Sequence, residues 1–224
     1  MKILALEFSS EERSVAVLDS ITGQVGSASE RIGKITHATA LIETALLQAG
    51  CDRTGIECLA LGLGPGSYTG IRAAIALAQG WQLAREVKLL GLASVECLAA
   101  QAQAQGLHGR VHLAIDAQRH EFYLAAYDLG PASLAEVTPL RLVGFDEVAQ
   151  LAQSGAVLVG PEVTRWFPTA RVMFPEATTL ARLAASRDEF RPGNELEPIY
   201  LRETTFVKAP PLRAIPSESE EGPR

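Results

Sequence analysis

A chain of 224 residues, 47% hydrophobic and 21% charged, has the composition of an ordinary globular protein and the length for one large domain or two small ones. Its net charge of −6 works against direct binding to a phosphate backbone, and no apolar run reaches membrane-spanning length. Three cysteines with no Cys-x-x-Cys pair read as reduced packing residues of a cytoplasmic protein rather than as a metal or redox centre.

Residues 2–8 are a short, mostly apolar run suited to a buried strand; Glu7 and residues 11–13 cut it too short for a secretion signal. Residues 14–19 and 24–31 continue it as an antiparallel meander with short turns. Residues 36–50 carry the first clear helical pattern, with Ala38, Leu41, Ile42, Ala45, Leu46 and Ala49 on one stripe, Thr36 as cap and Gly50 as stop. A continuous apolar strand over 56–63 leads through a glycine-rich turn into a helix over 69–86.

Between Ala73 and Ala84 that helix carries no charge, so nearly every face needs cover. Ile71, Ile75 and Ala78 suit a sheet, while Ala73, Ala76, Leu77 and Gly80 allow close approach of another helix. Periodicity leaves both readings open, burial within its own domain and a subunit interface. A strand at 88–92 and a helix at 94–105, capped by Ser94, complete the first half.

Gly106-Leu-His-Gly109 marks the expected domain boundary. Strands at 111–116, 121–127 and 137–143 follow, then a helix led by Asp146 and Glu147, a strand at 157–159 and a helix at 179–187. The arginines of this half (Arg165, Arg171, Arg182, Arg187, Arg191, Arg202) read as a scattered surface rather than a basic face. Each half runs strands first and then alternates helix with strand, which points to two related α/β lobes, residues 1–106 and 107–208. The tail over 209–224 is rich in Pro, Ser and Glu and is expected to be disordered.

The turn Gly62-Leu-Gly-Pro-Gly-Ser-Tyr-Thr-Gly70 stands between a strand and a helix N-terminus, where a phosphate cradle would stand. It lacks the Gly-Lys-Ser/Thr ending of a Walker A loop, because Ile71-Arg72 follow Gly70. The Gly-x-Gly-x-x-Gly fingerprint fails from Gly62, which reaches Ser67, and from Gly64, which reaches Thr69. An anion site and a turn whose glycines permit tight geometry both remain, and the chemistry favours the second. Glu7-Phe-Ser-Ser10 ends the first strand with a glutamate where sugar-kinase and actin-type folds hold a metal–nucleotide with aspartate; capping by Ser9 or Ser10 is the simpler role. His108 and His112 have the spacing of a helical metal pair, but Gly109 and Val111 put them in a loop entering a strand. With no Gly-x-Ser-x-Gly and no His-Glu-x-x-His, the residues offer no nucleophile.

Over about its first 130 residues the chain resembles the bacterial TsaB (YeaZ) family. The resemblance rests on Ile3-Leu-Ala-Leu-x-x-Ser9, the His37-containing helix, Gly64-Pro-Gly-Ser-Tyr-Thr-Gly-Ile-Arg72, Leu90-Gly-Leu-Ala-Ser-Val-Glu96 and Ala114-Ile-Asp-Ala-Gln-Arg119, with a weaker echo at Pro198-Ile-Tyr-Leu-Arg202. It implies an α/β fold of ASKHA type (actin-like ATPase, ribonuclease H-like), two lobes of mixed sheet plus helices. It also implies a scaffold role: dimerisation with the catalytic subunit TsaD for N6-threonylcarbamoylation of adenosine 37 in tRNAs reading codons that begin with adenine. The P-loop ATPase TsaE would join the pair, and tRNA would be reached through the complex.

TsaD holds its metal with a His-x-x-x-His pair whose places are taken here by Ser94 and Leu98, so the resemblance implies no catalytic residue, no metal and no cofactor. It makes Gly64, Gly66, Ser67 and Gly70 a vestigial phosphate loop, and Leu41, Ala45, Ile71, Ile75, Ala76 and Leu77 the expected contacts of a helical bundle with TsaD. Glu7 in place of an aspartate and Gln79 in place of a common lysine count against ATP binding by the chain itself. The competing readings are a small ASKHA ATPase or metal-dependent peptidase acting alone, and a homodimer through the same helices.

Overall fold

The structure, a computed structural model, describes residues 1–31 and 37–202. Strands β1 (Lys2–Glu7), β2 (Glu12–Asp19) and β3 (Val25–Arg31) pair antiparallel. Helix α1 (Ala38–Gln48) leads to β4 (Cys58–Gly62), and α2 (Tyr68–Ala84) leads to β5 (Lys88–Leu92). Both strands run parallel to β1, giving the order β3-β2-β1-β4-β5. β1 and β4 are buried along almost their whole length, because helices cover both faces of the sheet; their unbroken apolar runs follow from that.

The second half repeats the plan. After α3 (Ser94–Ala104) come β6 (Gly109–Asp116), β7 (Glu121–Leu129), β8 (Leu134–Gly144), α4 (Phe145–Gln153), β9 (Val157–Gly160), β10 (Arg171–Val172) and α5 (Ala177–Ala184). The sheet order is β8-β7-β6-β9-β10, again a meander followed by two parallel strands. This duplicated plan is the ASKHA arrangement, α/β with two lobes of mixed sheet.

The lobes are joined by exchanged helices. α3 buries Val95, Leu98, Ala99 and Ala102 with Val111, Leu113 and Ala125 of the second sheet. α5 buries Ala177, Leu180, Ala181 and Ala184 with Ile3, Ala5 and Ala60 of the first. The chain beyond α5 then runs back along β5 as a strap. The N–H of Arg191 donates to Leu89 O at 2.9 Å and that of Ile199 to Leu63 O at 2.8 Å. Arg202 reaches the second lobe, donating to Ala117 O at 2.9 Å and to Glu121 Oε2 at 2.5 Å.

Several local expectations change. α1 starts at Ala38 with His37 as cap residue and no side-chain cap bond; Thr36 and the tail over 209–224 lie outside the described residues. α3 begins at Ser94 with Ala93 in the cap position, so the Ser94 hydroxyl does not cap it. α5 runs from Ala177 to Ala184 rather than over 179–187. β10 is two residues long, too short to leave a periodic signal.

Candidate functional site

The glycine turn is shaped by how closely it lies on the end of β1. A Cβ on Gly70 would stand 2.0 Å from Phe8 O, and one on Gly66 (φ 147°) would stand 2.0 Å from Ser9 O. No other residue type fits either position. Ser67 caps α2, its Oγ accepting from Gly70 N at 3.3 Å, while its own N–H donates to Ser9 O at 2.7 Å. The N–H of Gly64 donates to Ser94 Oγ at 3.2 Å. The amides of Gly64, Ser67 and Gly70 are therefore already bonded within the chain. Their donors are not presented to an anion, which is what a loop of this shape without phosphate chemistry requires.

Glu7 is fully buried. Its Oε1 accepts from Ser9 N at 2.9 Å and its Oε2 from Ser94 Oγ at 2.9 Å. Gly62 makes the room: a Cβ there would stand 1.9 Å from Glu7 Oε2. Burial raises the Glu7 pKa above the ordinary 4.5, against the lowering effect of its bonds to Ser9 and Ser94. Ser10 makes a local turn with Glu12, its Oγ donating to Glu12 O at 2.9 Å.

A cleft of about 510 Å³ separates the lobes, lined by Ser10 and Glu11 on one side, Asp116 and Glu162 on the other, and Tyr68 and Tyr200 at one end. Three carboxyls on its walls work against a polyphosphate. Glu162 is pushed up to about 7, mainly by burial and next by its bond with Glu11. Glu11 is held below 4.5, first by that bond and then, against some burial, by Arg165 and Arg31. Sequence reading missed this cluster. Its members stand as far as 154 positions apart, as in the Arg165–Glu11 bond, and no local pattern announces such a pair.

The expected contact residues divide in two. Leu41, Ala45, Ile71 and Ile75 belong to the chain's own core, packed with Leu4, Leu6, Leu59 and Leu61. That expectation is corrected: the stripe a helix turns to its sheet is not available to a partner. Ala76 is exposed and Leu77 is half-buried against the core. The solvent side of α2 runs from Tyr68 and Thr69 through Arg72, Ala73, Ala76 and Gly80 to Leu83 and Ala84, with Leu83 90% exposed. On α1 the exposed large apolar residue is Leu47. Gln79, on the flank of α2, donates to Gly193 O at 2.8 Å, and Gln82 accepts from Gly193 N at 3.0 Å, so the strap grips the helix from the side.

Ser94 and Leu98 are both fully buried. Glu96, between them, pairs with Arg187. His108 precedes β6 and His112 lies within it, half-buried, its pKa lowered by burial and then by Arg110. Among the described residues no three His, Cys, Asp or Glu side chains are grouped closely enough to hold a metal ion.

A protein-family model for TsaD, tRNA N6-adenosine threonylcarbamoyltransferase, matches residues 34–190. The tRNA threonylcarbamoyladenosine biosynthesis protein TsaB of Escherichia coli is 34% identical over 57% of this chain and 55% of its own length, so the chain spans about half of that relative. TsaB of Haemophilus influenzae is 27% identical over 94% of this chain and 98% of its own. The structure of YeaZ from Pseudomonas aeruginosa superposes with a TM-score of 0.76 at 27% identity, over 89% of this chain and 99% of that one. With matching sequence blocks, the same fold and near-complete overlap with two of these proteins, the chain belongs to the TsaB (YeaZ) family and shares its sequence pattern with TsaD.

Proposed function

We propose that this chain acts in tRNA threonylcarbamoyladenosine formation as a non-catalytic subunit in the cytoplasm, docking on TsaD and required with it for N6-threonylcarbamoylation of adenosine 37. The observation that carries the reading is the outer face of α2. Ala73, Ala76, Gly80 and Leu83 leave a helix surface of small and apolar residues in water, with Arg72 alone charged. Small side chains let a second helix axis come close, and such a face gains from being covered.

The buried Ser94 and Leu98 support the non-catalytic part, since neither can replace an imidazole as a metal ligand. The acidic cleft wall and the internally bonded Glu7 favour this reading over an ATPase acting alone. The names of the relatives, with TsaB of Haemophilus influenzae matched over nearly its whole length, support the pathway. TsaE joins the pair, and tRNA is engaged through the complex.

Ala76→Glu is the informative variant. It puts a charge on the exposed stripe without touching the core, whereas Leu77→Glu would disturb the chain's own packing as well. In a reconstituted reaction with TsaD, TsaE and the threonylcarbamoyl donor, modified nucleoside is expected only with the chain present, and Ala76→Glu should lose most of it while remaining folded. Full modification with a well-folded Ala76→Glu chain would remove this face from the interface.

A further inference from the structure

The two lobes meet across the cleft at a charged cluster that the docking reading does not use. Glu11, on the loop between β1 and β2, is bonded by Arg165 from the 3-10 turn Val163–Arg165 of the other lobe. The Nη1 of the same guanidinium lies 3.3 Å from Glu162 Oε2. Arg31 of β3 lies 3.7 Å from Glu11 Oε2, and its guanidinium stands 5.3 Å from the centroid of the Phe174 ring in the second lobe. One carboxyl and one guanidinium from each lobe thus converge on one point. Among the described residues the other charged group acting on the pair is Asp116, at the end of β6; Arg202 also lines the cleft and is engaged with Glu121.

We propose that Glu11 and Glu162 share one proton across the cleft and, with Arg165, form a latch that holds the lobes together and lets go when that proton leaves to solvent. The side chains are 29% and 23% exposed, and both carboxyls sit on the one Arg165 guanidinium, Glu11 on its Nη2 and Glu162 on its Nη1. Two carboxylates so placed repel unless one keeps its proton, and they titrate as a pair. The direction of each shift agrees: Glu162 is raised to about 7, by burial before its bond with Glu11, and Glu11 is lowered, first by that bond. A raised folded pKa gives a contribution that is whole below the ordinary 4.5 and lost as pH rises through about 7. Release would reach α2, because the loop that carries Glu11 begins at Ser9, whose carbonyl holds Ser67 at the start of that helix. The latch stands whether or not α2 docks on TsaD.

Hydrogen exchange of the full chain, corrected for intrinsic rates and followed over residues 9–13 and 160–166, tests the latch between pH 6 and 8.5. Exchange in these segments should rise by up to tenfold per pH unit as pH climbs toward about 7 and level off above it, where the closed and open forms hold the same protons. Glu162→Gln keeps a hydrogen-bond donor with no proton to lose, so its exchange should be slow and flat with pH. A flat wild-type profile, or a Glu162→Gln profile that rises as the wild type does, would overturn the proposal. Carboxyl-carbon NMR titration of the unaltered chain gives a reading free of any folding defect. Two coupled steps, one above and one below the ordinary glutamate range, are expected; two independent steps near 4.5 would sink the latch.

Discussion

Removing the Ser94 hydroxyl tests whether Glu7 and the glycine turn form one buried hydrogen-bond unit. Ser94 Oγ donates to Glu7 Oε2 at 2.9 Å and accepts from Gly64 N at 3.2 Å, and both contacts are buried. Ser94→Ala strands an acceptor and a donor where water does not reach. An unsatisfied buried group costs about 1–3 kcal/mol. The two losses share one atom and will not simply add, so about 2–4 kcal/mol is expected. At this chain length that lowers Tm by roughly 4–16 °C. The deficit should also depend on pH. The Ser94 bond lowers the Glu7 pKa while burial raises it, so deleting the bond raises the folded value further above 4.5. A group raised on folding contributes stability below its unfolded pKa and loses it as pH rises through its folded value. The variant's deficit should therefore be larger at pH 8 than at pH 5, measured by urea unfolding at both. A deficit under about 0.5 kcal/mol, the size of an ordinary surface change, or one equal at both pH values would refute the unit.

The same substitution at two glycines of α2 should have opposite signs. Gly70→Ala drives a Cβ to 2.0 Å from Phe8 O and should lower stability by several kcal/mol or prevent folding. At Gly80 nothing lies within 4 Å of the new Cβ, so Gly80→Ala should stabilise the isolated chain by about 0.5–1 kcal/mol; thermal melts of both decide it. In native thiol labelling Cys51 should react first. Cys58 is buried and pushed up to about 11, and Cys97 is buried and raised well above its ordinary value, chiefly by desolvation in each case. Equal labelling of all three without denaturant would contradict their burial.

The sequence was most readable where one force decided the outcome. Lys88–Leu92 is a strand within its expected bounds because an apolar run on a covered sheet has little alternative. α2 begins at Tyr68, one residue before its expected start, although its cap, Ser67, went unread. It was least readable where distant residues decide. Ser94 has the look of a helix cap, yet its partner is Glu7, 87 positions away, which no local pattern encodes. The same limit hid the Glu11–Arg165–Glu162 cluster. On α2 the periodicity did separate Ile71, Ile75 and Ala78 from Ala73, Ala76 and Gly80, but it also put Leu77, which packs against the core, on the second stripe, and an uncharged helix gives no sign of how much of that stripe stays in water. Leu83 at 90% exposure supplies that sign, and it takes the fold to show it.

Light scattering on a size-exclusion column, with the chain alone and then mixed with TsaD of the same organism, tests the central claim most directly. A one-to-one complex that replaces the starting species, and is lost with Ala76→Glu, is the expected result. Unchanged elution of both proteins at concentrations well above physiological would contradict the docking of this chain on TsaD.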